Sequence, residues 1–397
     1  MNAPNGWNKI TLGELISLQR GYDLPKQNRK KGDVPVVGGG GYNGYHSEIK
    51  AAGPGVVLGR SGAGFGSAFF VKEDFWPHNT GLFVTDFRGN DRLYVFHFLN
   101  WFDFRSYNSG GAQPSLNRNF IYPITLAYPP LTEQKAIADL LSTWDEAIEK
   151  TELLIQAKKK QLKQLSRSLL FGRKRLKNQK NDLDDGRFFK YPSDWGLATI
   201  GEVAKEISVR NGESEETVLS CSKYDGFVNS LDYFGKQVFS SDTSNYKVVK
   251  KGQFGYPSNH VEEGSIGLLE HCEKGIVSPI YVVFEAAKEK VHPAYLYKLL
   301  KTDIYRHIFQ VSTSSSVDRR GSLRWGDFSK IKVLLPSLEE QQQIADTLST
   351  AQQEIDLLKQ LAEKYKTQKR GLMQKMLTGE WRIKPEIVDQ YVEKDHE

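Results

Sequence analysis

One block of this chain is written twice. PPLTEQKAIADLLSTWDEAI (129–148) returns as PSLEEQQQIADTLSTAQQEI (336–355), with eleven of twenty positions identical at a constant offset of 207. Unrelated segments of that length would share about one. Each copy opens a long helical pattern and follows a long region rich in glycine and aromatics. A globular module followed by a long helix, twice over, is a device for holding two modules at a fixed separation.

The openings of the two halves repeat as well. Trp7 followed by Thr11-Leu-Gly-Glu14 matches Trp195 followed by Thr199-Ile-Gly-Glu202, at an offset of 188. The rise from 188 to 207 places about 19 extra residues inside the second module. The modules therefore share an ancestor; their interiors have diverged while their frames have stayed.

Within each module, short β-type runs precede a helix. They read VPVVG, GVVLG, SAFFV and GLFVTDF in the first, and QFGY and GIVSPIYVVF in the second. A helix is expected over 91–104 in one and over 293–309 in the other. Pro129-Pro130 and Pro336 stop the last strand, and Thr132 or Ser337 can cap the long helix that follows.

The long helices carry the clearest periodicity. Ile137, Leu141, Trp144, Ile148, Thr151, Ile155, Lys158, Leu162, Leu165 and Leu169 follow alternating spacings of four and three. The same slots in copy two hold Ile344, Leu348, Ala351, Ile355, Leu358, Ala362, Tyr365, Lys369, Leu372 and Met376. That repeat is the signature of a coiled coil, and Gly172 and Gly379 end both helices. The expected fold is α+β: two mixed α/β modules joined by two long helices in an antiparallel coiled coil, with internal pseudo-two-fold symmetry. The boundaries read as a first globular module at 1–130, a spacer helix at 131–178, linker and second module at 179–337, a second spacer helix at 338–384, and a loose acidic tail at 385–397. Thirty-nine helical residues span about 58 Å, about 17 base pairs of DNA, so the helix pair would act as a ruler between two reading modules.

Charge supports a polyanionic partner through its distribution. Net charge is only +6, but 150–180 holds eleven Lys/Arg and one acid, and 359–384 holds eight and two. A basic stripe neutralises phosphates and releases counterions; a solvated helix face accounts for the same charges. The isolated Cys221 and Cys272 read as thiols of a reducing cytoplasm, no leader is apparent, and no apolar run is long enough to cross a membrane.

A catalytic constellation is missing. The loop GRSGAGFG (59–66) lacks the Lys-Ser/Thr of a phosphate-binding loop and the spacing of a dinucleotide site. It reads better as a tight loop whose backbone approaches a ligand such as DNA, with Arg60 and Ser61 as contacts. Asp33…Glu48-x-Lys50 fits a nuclease site only superficially. Ala127-Tyr128-Pro129-Pro130 lacks the amide or carboxylate of an amino-methyltransferase box, and the histidines have no zinc spacing. Tyr42 and Asn43 stand on a second glycine-rich loop; Gln113, Asn117 and Arg118 lie on another. Their counterparts in the second module are Asn259, His260, Arg319, Arg320 and Arg324. Amides and guanidinium groups pair with adenine and guanine edges, although ordinary surface polarity would place the same residue types there.

Taken together, the repeated Pro…Leu-x-Glu-Gln-x-x-Ile-Ala-Asp-x-Leu-Ser-Thr blocks, the Trp…Gly-Glu openings and the Leu-Leu-x-Gly and Met-Leu-x-Gly helix ends resemble the specificity subunit of a type I restriction–modification system over essentially the whole length. The resemblance implies a non-catalytic subunit with no cofactor of its own, whose two modules each read half of a bipartite, asymmetric site in double-stranded DNA. It implies two methyltransferase subunits holding S-adenosylmethionine, and restriction subunits using ATP and Mg. The competing expectation is a stand-alone DNA-binding or scaffold protein.

Overall fold

The structure, a computed structural model, describes residues 3–176, 183–185, 190–313 and 322–393. It divides into two compact units, Met1–Leu154 with Leu358–Glu397, and Ile155–Leu357. The long helices Leu131–Leu170 and Leu338–Leu377 both cross that division, so each unit owns half of each helix.

In the first unit a four-stranded antiparallel sheet runs in the order Ser17–Arg20, Gly81–Asp86, Gly55–Gly59, Ala68–Val71. Its central strand GVVLG is buried throughout because both faces are covered. Side chains alternate between faces, so Val56 and Leu58 join Tyr94, Val95, Phe98 and Leu99 of the helix Arg92–Trp101. Val57 turns the other way, onto Val37, Val71, Phe75 and Phe83 beneath the sheet Gly41–His46, Val34–Gly38, Trp76–Pro77. Asp91 caps the helix by accepting from the Tyr94 amide at 2.8 Å. Strand Asn8–Thr11 pairs antiparallel with Thr125–Tyr128, which delivers the chain to the first long helix.

The second unit repeats the layout. Its sheet runs Ala204–Ile207, Tyr281–Ala286, Gln253–Pro257, Gly267–Leu268, and Gly196–Thr199 pairs with Lys332–Leu335. The divergence lies between the first two strands in sequence, where 208–252 replaces 21–54. There the chain forms the hairpin Leu219–Ser222/Gly226–Asn229 and a short helix Ser230–Phe234. The helix expected over 293–309 is two helices, Pro293–Leu300 and Asp303–Ser312. Thr302 breaks it, since its hydroxyl accepts from the Tyr305 amide at 3.4 Å and starts a new N-terminus.

Within each unit the helix halves run antiparallel. In the first, Trp144 packs edge-on against Tyr365 with ring centroids 5.7 Å apart, Lys369 pairs with Asp145, and Lys366 reaches Glu152 at 2.8 Å. In the second, Lys158 reaches Glu354 at 2.7 Å. None of the seam positions, from Ile137, Leu141, Ile148, Ile155, Leu162 and Leu169 to Ile344, Leu348, Ile355, Leu358, Leu372 and Met376, is exposed. Each buried Leu or Ile contributes about 1.5–3 kcal/mol relative to exposure.

Four expectations change. The first long helix starts at Leu131, with the Gln134 amide bonded to the Pro130 carbonyl, so Thr132 lies inside its first turn. Ser337 does cap the second, accepting from the Glu340 amide at 3.3 Å. The acidic tail forms a helix, Pro385–Glu393, and the Tyr391 hydroxyl donates to Asp139 at 2.7 Å. The linker likewise folds in part, since Leu183–Asp185 pairs with Lys190–Pro192. The basic stripe faces the chain's own acids in part: Lys163 and Arg167 meet Asp303, and Lys375 meets Glu380.

His97 is fully buried against Ser142 (3.3 Å) with Asp145 3.9 Å away. The latter contact is not an ion pair, because burial and then Lys369 push the imidazole down to about 3, and Asp145 already holds Lys369. The unfolded imidazole titrates near 6.5, so acid favours unfolding. Stability should be intact above pH about 6.5 and fall toward pH 4, by at most about 1.4 kcal/mol per pH unit from this group. Urea unfolding across that range should show a shallower fall in His97→Leu; an unchanged slope would rule the assignment out.

Candidate nucleic-acid interface

The frame that holds the candidate loops is a pair of matching clamps. In the first unit the Trp7 indole N–H donates to Glu133 Oε2 at 3.0 Å. Arg382 closes on the same carboxylate through Nε (2.6 Å) and Nη2 (2.7 Å), with its guanidinium 5.5 Å from the Trp7 ring centroid. In the second unit Trp195 donates to Glu340 at 3.2 Å, and Arg175 binds it through Nε (2.7 Å) and Nη2 (2.9 Å), again 5.5 Å from the ring. Arg175 also grips Asp194 at 2.9 and 3.0 Å. Each clamp joins three segments: the start of a module, the start of one long helix, and the segment just beyond the end of the other.

The neighbouring glutamine completes the joint. Gln134 accepts from the Asp91 amide at 3.0 Å and donates to the Pro129 carbonyl at 3.0 Å; Gln341 does the same with His292 (2.7 Å) and Pro336 (2.9 Å). The helix-ending glycines fit underneath. Gly379 (φ +72°) and Gly172 (φ +64°) sit where a Cβ would lie 2.4 Å from Pro4 and 2.2 Å from Pro192. Both openings fold as capping boxes, Thr11 with Glu14 and Thr199 with Glu202. The sequence marks the Glu-Gln pairs through their repetition, but not their partners. The signal for Arg175 and Arg382 was available: they also stand 207 apart, each three residues past the helix-ending glycine.

On this frame the loops named from sequence come together. In the first unit the Leu116 amide donates to the Arg60 carbonyl at 2.8 Å, and Ser61 bridges to Ser115. In the second the Leu323 amide donates to the Ser258 carbonyl at 2.8 Å. The same backbone bond thus places Arg60, Ser61 and Asn117 where the other unit has Ser258, Asn259 and Arg324. Arg60, Asn117 and Arg118 line one cleft of about 440 Å³ with Gln19 and Arg20. Gln113 is exposed on the same loop but lies outside that lining. Arg319 and Arg320 lie outside the described residues.

Several candidates also have structural duties. Asn117 caps Arg118–Ile121, and Arg118 Nη1 holds the Leu18 carbonyl at 2.7 Å. Arg60 Nη1 reaches the Asn79 carbonyl at 3.4 Å. His260 is exposed, but Glu263 stands 3.5 Å from its Nδ1, which makes it a poor phosphate contact. Tyr42 is 57% exposed, and Asn43 is exposed beside it. Partial burial, then Glu73, pushes the Tyr42 phenol up, so it stays neutral as a hydrogen-bonding tip. The glycine-rich loop also packs tightly on the chain itself. A Cβ on Gly59 would lie 1.8 Å from the Gly64 carbonyl, and one on Gly64 1.6 Å from that of Gly39, so two glycine loops pack backbone to backbone.

Residues 4–179 and 192–366 each match the family described as the type I restriction modification DNA specificity domain. The chain belongs to that family. It is 26% identical over 314 residues to the MjaVIII type I restriction enzyme specificity subunit of Methanocaldococcus jannaschii, covering 74% of this chain and 71% of that protein. It is 29% identical over 140 residues to the EcoprrI specificity subunit of Escherichia coli, covering 34% of this chain and 35% of that protein. In fold it is similar to the S subunit from M. genitalium, with a TM-score of 0.58 at 18% identity over 95% of this chain and 98% of that one. A chain solved in work on complex assembly and conformational transition of the type I R-M system gives 0.55 at 14%, over 96% and 100%. Specificity subunits of this family are non-catalytic and carry no cofactor of their own; catalysis lies in partner subunits. No helix among the described residues is long and apolar enough to cross a membrane.

The Glu133 side chain is 4% exposed and that of Arg382 39%, so the clamp is half-shielded. Glu133→Gln should lower stability by about 2 kcal/mol, below the 3–5 of a wholly buried pair. In a double-mutant cycle with Arg382→Met, read by urea unfolding, the two changes should couple by about 1–3 kcal/mol; strict additivity would show that the clamp does not act as a unit.

Proposed function

We propose that this specificity subunit reads an asymmetric, two-part site in double-stranded DNA, one half with each unit, and directs a methylating and restricting enzyme to it. The observation that supports this most is the shared backbone frame with different side chains on it. Arg60, Ser61 and Asn117 occupy the places of Ser258, Asn259 and Arg324 around the same Leu amide bond. A common frame sets where each loop meets a groove; the residues on it set what is read. The modules at 1–130 and 179–337 would then be the readers, and the helices at 131–178 and 338–384 the spacer.

On this reading Tyr42, Asn43, Arg60, Ser61, Gln113, Asn117 and Arg118 face one half-site, and Asn259, His260, Arg319, Arg320 and Arg324 the other. Two modification subunits dock on the repeated frame and bring S-adenosylmethionine to adenine N6. Restriction subunits, with ATP and Mg, join through them. The chain acts in the cytoplasm, where the DNA is.

The experiment is co-expression with a type I modification subunit, followed by single-molecule sequencing of host DNA. A bipartite N6-methyladenine motif that disappears without this chain is expected; a stable complex with no methylated motif would sink the proposal. Arg60→Ala should then relax or weaken recognition of one half-site by roughly tenfold, worth about 1–3 kcal/mol at one base pair, and leave assembly with the modification subunit intact. Loss of assembly instead would show that Arg60 is structural.

A further inference from the structure

The structure assigns a DNA-contacting element to the second unit that the sequence does not announce: the hairpin tip Ser222–Gly226, led by Lys223 and Tyr224 and positioned by Lys301. The assignment rests on the half-site reading above and names where that unit would touch the duplex.

Tyr224 is 79% exposed, the highest of any large apolar or aromatic side chain described. Its ring has the Lys223 ammonium 5.7 Å from its centroid. The tip beneath it is rigid. Ser222, 6% exposed, accepts from the amides of Tyr224 (3.2 Å) and Asp225 (3.3 Å) and donates to the Asp225 carboxylate at 3.0 Å. Gly226, at φ +71°, closes the turn. A tyrosine left in water on a locked turn adds nothing to the core, but it can bind with little loss of conformational entropy.

Lys301 ties this tip to the candidate loop. It follows the helix Pro293–Leu300 and turns inward. Its Nζ donates to the Lys223 carbonyl at 2.7 Å and to the Gly264 carbonyl at 2.9 Å. One ammonium thus fixes the distance between the tip and the turn that carries Asn259 and His260. Half-burying a lysine for two main-chain carbonyls adds little stability but is an effective way to fix geometry.

The first unit also presents an exposed aromatic hairpin held by a basic side chain, with unrelated residues. Its hairpin Val34–Gly38/Gly41–His46 exposes Tyr42 (57%) and Tyr45 (62%), and Arg29 donates inward to the Asn43 carbonyl. The two hairpins lie where the modules have diverged most, so the recurrence follows a shared task. A tyrosine face and hydroxyl suit sugar and base edges, and a lysine beside it suits the phosphate between them.

The test uses the full chain reconstituted with its modification subunits and a duplex carrying the methylated motif, with partner duplexes altered in one half-site or the other. Tyr224→Ala should weaken motif binding about tenfold with the salt slope unchanged. Lys223→Ala should reduce that slope by about one phosphate. Lys301→Met should erase discrimination at one half-site only, with assembly intact, and Lys301→Arg should restore part of it. Wild-type binding by Tyr224→Ala and Lys223→Ala would overturn the assignment. So would lost assembly with DNA binding retained, which would make the tip a protein-docking surface. A wild-type complex that ignores the motif duplex would instead bring down the half-site reading itself.

Discussion

Everything in this fold depends on one carboxylate per unit. Glu133 and Glu340 stand in the first turn of a long helix, where the helix dipole already favours a negative charge. Each gathers an indole N–H from the module's opening and a two-pronged guanidinium from beyond the other helix's end. Neither ionic partner could be buried alone, so the three must arrive together. The clamp thereby converts a feature of helix ends into a rule about which segments meet. It also explains why the strongest repeats in the chain cluster at the module openings and helix ends, while the loops between them vary.

The loops are carried differently. In the first unit glycines let two turns press backbone to backbone, with Gly59, Gly64 and Gly39 leaving no space for a Cβ. In both units a leucine amide stitches the late loop to the early one. Side chains at these loops are thus free to differ without disturbing the core, which is the physical condition for two modules of common origin to read different sequences. Several of the side chains named for reading also hold main-chain carbonyls, as Arg118 holds Leu18. Such a residue contributes to loop geometry first and to contact only through the donors that remain.

Much of the architecture was legible because it rests on periodicity and repetition. The 4,3 spacing located the seam, the strand runs located the sheet, and the 188 and 207 offsets located the divergence. What escaped has a physical reason. Thr132 looks like a cap, but the chain leaves the last strand helical from Leu131, so the cap position falls at Pro130, two residues earlier than polarity suggests. Thr302 breaks a helix that hydrophobic spacing alone would continue through Lys301. The tail reads as loose by composition, yet folds as a helix with Tyr391 bonded to Asp139. At the site, no pattern in the sequence could show that the tip carrying Tyr224 is brought up to the turn that follows Asn259 and His260. That proximity is made by Lys301, a residue remote from both in sequence.

The seam also shows how a duplicated helix keeps its pairing unambiguous. The slots holding Trp144 and Asp145 in the first copy hold Ala351 and Gln352 in the second; those holding Lys158 and Leu162 hold Tyr365 and Lys369. The first unit therefore closes with an aromatic pair and the Asp145–Lys369 contact, and the second with Lys158 against Glu354. Two copies of the first helix set antiparallel would place Leu162 beside Asp145 and Lys158 beside Trp144. The half-exposed carboxylate would lose its ammonium partner beside the buried His97, at a cost of about 1 kcal/mol. Apolar slots supply the stability of the pair in either arrangement, and these few polar and aromatic slots make one arrangement win. The divergence between the copies is thus concentrated where it separates partners, just as in the modules it is concentrated in the loops and not in the frame.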